Sequence, residues 1–571
     1  MKADLVKIER QYDEDQQAAE EDTARQSGKQ RHQPTQAELL VALAKDGVFV
    51  HDANGDAYVR FEVAEHRETH PVRSKAFRRR LTKAFLDSEG KPPNRQALET
   101  AINAVEAIAH FDSPEERVFT RVGRRGERIY LDLADRYWRV VEISANGWRV
   151  CRESPVWFRR APGMLALPEP EPGGSLADLR PFLNVEHDDD LVLIVAWLVV
   201  ALHDAGPYPV LVLCGEQGSA KSTAVRVLRR LVDPNSAALR SPPREERDLA
   251  IAARNAWLVA LDNVSGLPDW LSDGLCRIAT GGGFSTRQLY SDADEMLFDT
   301  MRPIVINGIE DPVERDDLRD RALFWTLPTI SVQQRRTERD FWRDFGAAAP
   351  RILAHLLDGV AAALRRYDAA VLPGAPRMAD FCQRAVAAEE ALGFTPGTFL
   401  RVYEENRENA IERQVEDSRL ATELRAIAAE GKWEGTASDL LAKLNSRVGD
   451  EIQRRRWWPK SPRSLSGQVR RAAPGLRQIG VEITFDREPG GATGKRRRLI
   501  SVEVGAKYRP YRPDAAVEHD GQASERPSPS RHRPSNHDQG DGGDGRDGVV
   551  RPLDDALDPD AEARAAMREG A

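Results

Sequence analysis

The stretch PVLVLCGEQGSAKSTAVRVLRRLV, residues 209–232, decides how the chain is read. Aliphatic and β-branched residues up to Cys214 predict a buried strand, and from Lys221 apolar residues recur at helical spacing. A small-residue loop joins the two. Strand, loop and helix in immediate succession form the setting in which backbone amides can wrap a phosphate. Gly215, Glu216, Gln217, Gly218, Ser219, Ala220, Lys221, Ser222 and Thr223 supply the parts. Gly215 and Gly218 let the amides turn inward, Lys221 can reach the outer phosphates, and the Ser222 hydroxyl can ligate Mg²⁺. A Gly-rich turn that merely contains Lys-Ser would not require both flanks. The reading predicts ATP and Mg²⁺ as cofactors and an α/β fold with a P-loop NTPase core. One position departs from the usual pattern, with Ala220 standing where Gly precedes the Lys. If that residue takes a positive φ, Ala costs about 1 kcal/mol.

An ATPase needs partners downstream. NAWLVALDN, residues 255–263, reads as a strand ending in Asp262, the expected second contact to Mg²⁺. The next residue is Asn263, which can orient water but cannot accept its proton; Asp269 is the alternative acid. RPIVIN, residues 302–307, is a third strand ending in Asn307, a polar group for the γ-phosphate or the attacking water, or else a plain Asn-Gly turn. DPVERDDLRDRALFWTLP then offers Arg315, Arg319 and Arg321 before a further strand. An arginine there can stabilise transition-state charge in a neighbouring subunit, or simply lie on a solvated loop.

At 571 residues the chain has room for two to four domains. Its net charge of −8 excludes a uniformly basic coat, so a nucleic-acid surface must be local. The four cysteines, Cys151, Cys214, Cys276 and Cys382, show no zinc or disulfide spacing and fit a reducing cytoplasm. The most apolar run, residues 191–202, is shorter than the roughly 18 residues that span a bilayer, which predicts a buried helix and no membrane partner. The start of the chain lacks the apolar stretch of a signal peptide.

Composition divides the chain further. Residues 1–40 are polar and predict a flexible arm. Residues 41–165 read as an α+β domain, opened by a hairpin around Asn54-Gly55. Pro- and Gly-rich residues 166–185 predict a linker, residues 186–335 the ATPase domain, and residues 336–430 a helical region. Residues 431–508 read as helix, helix, strand, strand, and residues 509–571 as a disordered tail.

In order, GEQGSAKST, LVALDN, TGGGFSTRQLYSDADEMLF and RPIVINGIED resemble the motifs of the superfamily III helicases, a branch of the AAA+ ATPases. Within it they are most similar to the primase-associated helicases of phages, plasmids and integrative elements, including poxvirus-type relatives. The resemblance covers roughly residues 185–330. It implies a homo-oligomeric, hexameric ring with ATP at subunit interfaces, moving on DNA. By position it makes Lys221 and Ser222 the phosphate and Mg²⁺ contacts, Asp262 the second Mg²⁺ contact and Asn307 the sensor. Arg321, with Arg319 second, becomes the trans-acting arginine. Residues 280–298 fall where the family has its channel hairpin, which would carry Arg287 and Tyr290. The hairpin tip here holds Asp292, Asp294 and Glu295, where a DNA-gripping loop is expected to be basic. No primase centre is evident in residues 1–165.

Between residues 452 and 509 there are 15 Lys or Arg against 4 Asp or Glu. A helix carrying Arg463, Arg470 and Arg471, then two strands around a Gly-rich turn with Lys495, Arg496, Arg497 and Arg498, resembles a winged helix-turn-helix domain. That helix would enter a major groove and the wing would meet phosphate; a solvated basic face or a protein-docking surface is the alternative. The leading expectation is a cytoplasmic DNA-dependent ATPase, helicase-like, in replication of a mobile element. The competing one is an AAA+ switch, loader or defence-associated ATPase that binds ATP without unwinding DNA. A small-molecule kinase has no acceptor-site signature in its favour.

Overall fold

The computed structural model describes residues 34–282, 284–287, 295–298, 301–374, 376–487 and 498–505. The described chain forms two compact units. The first holds the residues up to Arg335 together with Phe345–Ala410; the second holds Arg336–Asp344 and the residues from Ile411 onward.

The first unit opens with the helix Gln36–Ala44, so that residues 36–40 of the expected arm are helical with Leu40 buried, and continues into an antiparallel sheet of β1 (Val48–His51), β2 (Ala57–Val63) and β3 (His66–Pro71). The turn between β1 and β2 contains Asn54 and Gly55, and Gly55 has a φ of 79°, a conformation glycine adopts without steric cost. The helices Lys75–Glu89 and Arg95–Phe111 bury Phe77, Leu81, Phe85, Ile102 and Val105 against this sheet. β4 (Val118–Phe119), a four-stranded meander of β5 (Val122–Arg125), β6 (Arg128–Asp132), β7 (Val140–Ser144) and β8 (Gly147–Cys151), and then β9 (Trp157–Phe158) follow.

The apolar run at residues 191–202 falls in the helix Asp188–Ala201, and its residues from Leu191 onward are all buried. Beyond it lies a parallel sheet of β10 (Val210–Cys214), β11 (Val259–Leu261), β14 (Ile304–Asn307) and β15 (Ala322–Thr326), in the order β11-β14-β10-β15. The hairpin β12 (Phe284–Arg287) and β13 (Glu295–Phe298) precedes β14 in the chain. Strands buried on both faces read as continuous apolar runs, and β10, β11 and β14 are such runs. From β10 the chain crosses to one side of the sheet, returns through β14, and places β15 on the other side. Such a reversal opens a crevice at the carboxyl ends of the strands.

Two expected boundaries move. Residues 166–185 do not separate independent domains: Leu165 N–H donates to Pro234, Leu167 to Leu133 and Glu171 to Pro350. A Cβ at Gly174 would stand 1.9 Å from the Arg351 carbonyl oxygen, so that glycine is where the segment presses onto the helix Glu338–Arg366. The helical region is also divided. Its residues 345–410 belong to the first unit, whereas the helix Arg419–Glu430 buries Leu420, Leu424 and Ile427 in the core of the second.

That second core also takes Leu440 from the helix Ala437–Arg447 and Leu465, Val469 and Leu476 from the helix Pro462–Gln478, with β16 (Trp433–Thr436), β17 (Val481–Arg487) and β18 (Arg498–Val504) in the antiparallel order β16-β18-β17. Among the described residues one segment, Glu338–Ala369, is long and apolar enough to cross a membrane, but 67% of its apolar window is buried within the protein.

Candidate functional site

The crevice at the carboxyl edge of the parallel sheet is built from the loop after β10. Gly215 (φ 149°) and Gly218 (φ 88°) both adopt left-handed backbone, and a Cβ at Gly215 would lie 2.6 Å from the Leu327 carbonyl oxygen. The loop is braced from inside: the buried Ser219 hydroxyl donates to the Glu216 carbonyl at 2.9 Å. Glu216, Gln217 and Gly218 are exposed. Ala220 has φ 63° and ψ 29° and caps the helix Lys221–Val232, so the residue that departs from the usual pattern takes the conformation glycine would adopt at no cost. Ala220→Gly is therefore expected to stabilise the protein by about 1 kcal/mol, read as a higher urea midpoint. A fall in stability would show that the alanine is not strained.

Lys221 Nζ donates to the carbonyls of Gly215 at 2.7 Å and Glu216 at 2.8 Å, holding the loop closed over itself. Burial lowers the affinity of this amine for its proton, opposed by Cys214 and Asp262. The Ser222 hydroxyl donates to Asp262 Oδ1 at 2.9 Å. Asn307 Nδ2 donates to the same carboxylate oxygen at 2.7 Å, and Asn307 Oδ1 accepts from the Asn263 backbone N–H at 2.8 Å. Four residues, three at two strand ends and Ser222 in the first turn of the helix Lys221–Val232, thus share one hydrogen-bonded cluster beside the loop. The parallel register, Leu213 opposite Asn307 and Leu261 opposite Ile306, brings them there. Asn263 has a φ of 55°, a left-handed conformation that Asn tolerates better than most residues. Asp269 does not join the cluster; it opens the helix Asp269–Thr280 and pairs with Arg315 at 3.7 Å.

The loop has the parts of an anion cradle: two glycines at left-handed φ, a lysine whose partners are loop groups, and a helix N-terminus. The Ser222 hydroxyl and the Asp262 carboxylate are a donor set that fits a hard cation such as Mg²⁺. Two contributors escaped sequence reasoning. Asn184 Nδ2 donates to the carbonyls of Ser219 at 3.0 Å and Pro328 at 2.6 Å, tying the loop to the end of β15. Arg335 places Nη2 3.6 Å from where a Gly218 Cβ would stand, so a guanidinium lies over the loop. Neither lies in a motif, and only the fold brings them near.

The expected trans-acting arginines have other partners. Arg319, 8% exposed, pairs with Asp311 at 2.8 Å, donates to the carbonyls of Val313 and Ala410, and lies over the Phe324 ring. Arg321 pairs with Asp317, four residues before it on the same turn. Both guanidiniums are held within the chain, because aspartates on the segment 311–317 fold back onto them. The expected hairpin is present as β12 and β13, with Arg287 opposite Glu295 in backbone register. Tyr290, Asp292 and Asp294 lie outside the described residues, as do Lys495, Arg496 and Arg497.

In the second unit, Ser461 caps the helix Pro462–Gln478, which buries Leu465, Val469, Ala473 and Leu476. Arg463, Arg470 and Arg471 are left on its exposed side, with Arg470 over the Phe485 ring at 4.2 Å. Arg498 is exposed at the first position of β18.

Residues 176–405 match the family described as actinomycete integrative conjugative element replication protein, and residues 420–518 match the AICE RepA C-terminal domain. No curated protein matches the chain. Among solved structures, the A form of the apo NrS-1 C-terminal region (305–718) is similar at 14% identity and a TM-score of 0.37, over 81% of this chain and 98% of that one. A second apo structure of that region gives 14% identity and 0.36, over 83% and 100%. JCV helicase, solved with a bound thiazolopyridine compound, gives 14% identity and 0.23, over 42% and 60%. In two successive segments that together span more than half its length, the chain thus matches the replication protein family of actinomycete integrative conjugative elements.

Proposed function

We propose that the chain is an ATP-binding and ATP-hydrolysing motor, helicase-like and DNA-dependent, that serves the replication of its element as a homo-oligomeric ring of the superfamily III, AAA+ type. The observation that carries this reading is the cluster of Ser222, Asp262, Asn307 and Asn263 beside the glycine loop. Mg²⁺-ATP would supply the phosphoryl group and the cation that offsets its charge. The chain's own residues do the rest. The loop amides bind phosphate oxygens, and Lys221 exchanges the Gly215 and Glu216 carbonyls for the outer phosphates. Ser222 and Asp262 hold the cation. Asn307 fixes the Asp262 carboxylate with one end of its amide and the Asn263 backbone with the other. The Asn263 side chain orients water without taking its proton, which points to slow turnover governed by positioning.

DNA would meet the second unit. Its order of helix, strand, helices and two strands fits a winged helix-turn-helix domain, with Arg463, Arg470 and Arg471 on the groove-facing helix and Arg498 at the root of the wing. Asn263, in place of an acid, favours a second reading, an AAA+ switch or loader in which ATP controls assembly. Phosphate release by the full chain, measured with and without single-stranded DNA, separates the two. Faster turnover with DNA is expected of the motor; turnover indifferent to DNA would leave only the switch.

A further inference from the structure

The stretch RRRWWPK, residues 454–460, closes the helix Asp450–Arg454 and leads into the helix Pro462–Gln478, and its two adjacent tryptophans have opposite surroundings. Trp458 is 2% exposed, belongs to the core of the second unit, and donates its indole N–H to Asn445 Oδ1 at 2.9 Å. Trp457 is 53% exposed and meets the Trp458 ring at 74°, with centroids 6.1 Å apart. Of the eleven tryptophans it alone is exposed, so packing does not account for it. Among the described residues its indole N–H has no hydrogen-bond partner. The backbone beneath the ring is fixed. The Trp457 carbonyl accepts from Gln468 Nε2 at 3.2 Å, and Trp458 N–H donates to the Arg455 carbonyl at 3.2 Å. Gln453 Nε2 donates to the carbonyls of Asn445 at 2.8 Å and Val448 at 3.2 Å, and its own carbonyl accepts from Lys460 Nζ. A ligand that stacks on this ring has little chain to order, which keeps the cost of binding low.

The charge around the ring has one sign. Residues 452–481 hold eight Lys or Arg and no Asp or Glu. Arg455 pairs with Glu451 at 2.7 Å, but among the described residues the exposed Arg454 and Arg456 form no ion pair. A surface that only needs solvation mixes both signs, because like charges on neighbouring turns repel. An apolar partner would cover the indole and leave the arginines without counter-ions. A polyanion with aromatic faces satisfies both, and such a ligand is a nucleic-acid strand. A closed duplex keeps its base faces in the stack, so only an unpaired base can lie flat on the ring.

We propose that Trp457 stacks on an unpaired base of single-stranded DNA, with Arg454 and Arg456 meeting the phosphates beside it. The inference rests on the reading that the second unit meets DNA, and it adds a single-strand contact to the duplex contacts of the helix Pro462–Gln478. It does not depend on ATP hydrolysis.

The test uses the full chain without nucleotide, an oligo(dT) carrying 5-iododeoxyuridine, and a blunt duplex. Photocrosslinking followed by mass spectrometry is expected to place an adduct on Trp457. Fluorescence anisotropy is expected to show about tenfold weaker oligo(dT) binding in Trp457→Ala and unchanged duplex binding, with most of the loss recovered in Trp457→Phe, which keeps a π-face. In the Arg454→Gln, Arg456→Gln double variant the salt dependence of oligo(dT) binding should be shallower by about 1.4 on the logarithmic scale. Because the ring is exposed, Trp457→Ala should leave the melting temperature unchanged. Unchanged oligo(dT) affinity in Trp457→Ala, or equal losses for oligo(dT) and duplex, would overturn the proposal. So would an altered sedimentation coefficient of the DNA-free Trp457→Ala chain, which would give the ring to a second copy. An Arg463→Ala, Arg471→Ala variant, expected to weaken duplex binding, keeps the two readings apart. A loss there with none in Trp457→Ala would retain the groove-facing helix and remove the stacking site, whereas no loss in either would remove DNA from the second unit altogether.

Discussion

Lys221→Ala is expected to lower ATP turnover by about 10²–10³-fold, the loss typical of removing one pre-positioned donor from a developing anionic charge. The lysine holds two carbonyls of its own loop, so its ammonium is already aimed into the cradle before any phosphate arrives. Its side chain is part of neither apolar core, and alanine should therefore leave the melting temperature close to that of the parent. Lys221→Arg is expected to fail as a rescue, because a planar guanidinium cannot replace a compact ammonium in the space between loop and helix. Steady-state phosphate release, with nucleotide binding measured separately, checks both variants. Undiminished turnover in Lys221→Ala would remove the glycine loop from the chemistry.

Arg121→Ala should cost about 3–5 kcal/mol of unfolding free energy, a large part of what a domain of ordinary stability possesses. Arg121 is 0% exposed and Asp233, its partner at 3.0 Å, 2%. The guanidinium also donates to the carbonyls of Asp132 at 3.0 Å, Leu165 at 2.8 Å and Pro234 at 3.3 Å. Asp233 in turn accepts from the backbone N–H groups of Trp257 and Leu258, so it joins the N-terminal strands, the end of the glycine-loop helix and the approach to β11. Removing the arginine leaves the buried carboxylate with two backbone N–H groups and, at 3.9 Å, the Arg229 guanidinium, and frees three carbonyls of their donor. Urea unfolding followed by circular dichroism measures the loss, and Arg121→Lys should recover little of it, since one ammonium cannot reach four acceptors in different directions. A change below about 1 kcal/mol would mean that water enters and replaces the pair.

The glycine loop, Asp262 and Asn307 were legible in the sequence because each depends on local order, a strand followed at once by a turn and a polar residue. The buried helix Asp188–Ala201 was legible for the same reason. Periodicity and loop chemistry are properties of neighbouring residues, and neighbours survive in the sequence. Arg319 and Arg321 show the opposite case. Their spacing before a strand suggested arginines free to act in another subunit, whereas Asp311 and Asp317 hold them at home. Charge type is visible in a sequence, but the partner is a matter of geometry.

The joining of residues 41–165 to the region of the parallel sheet belongs to that second kind, since its anchor links positions 112 residues apart. So does the arrival of Asn184 and Arg335 at the loop. The sequence by itself determined a strand, a glycine-rich loop and a helix in succession, and the polar residues at the neighbouring strand ends, because backbone hydrogen bonding and apolar periodicity act locally. Only the tertiary structure decided which charges meet, because an ion pair depends on distance in space and carries no trace in sequence spacing.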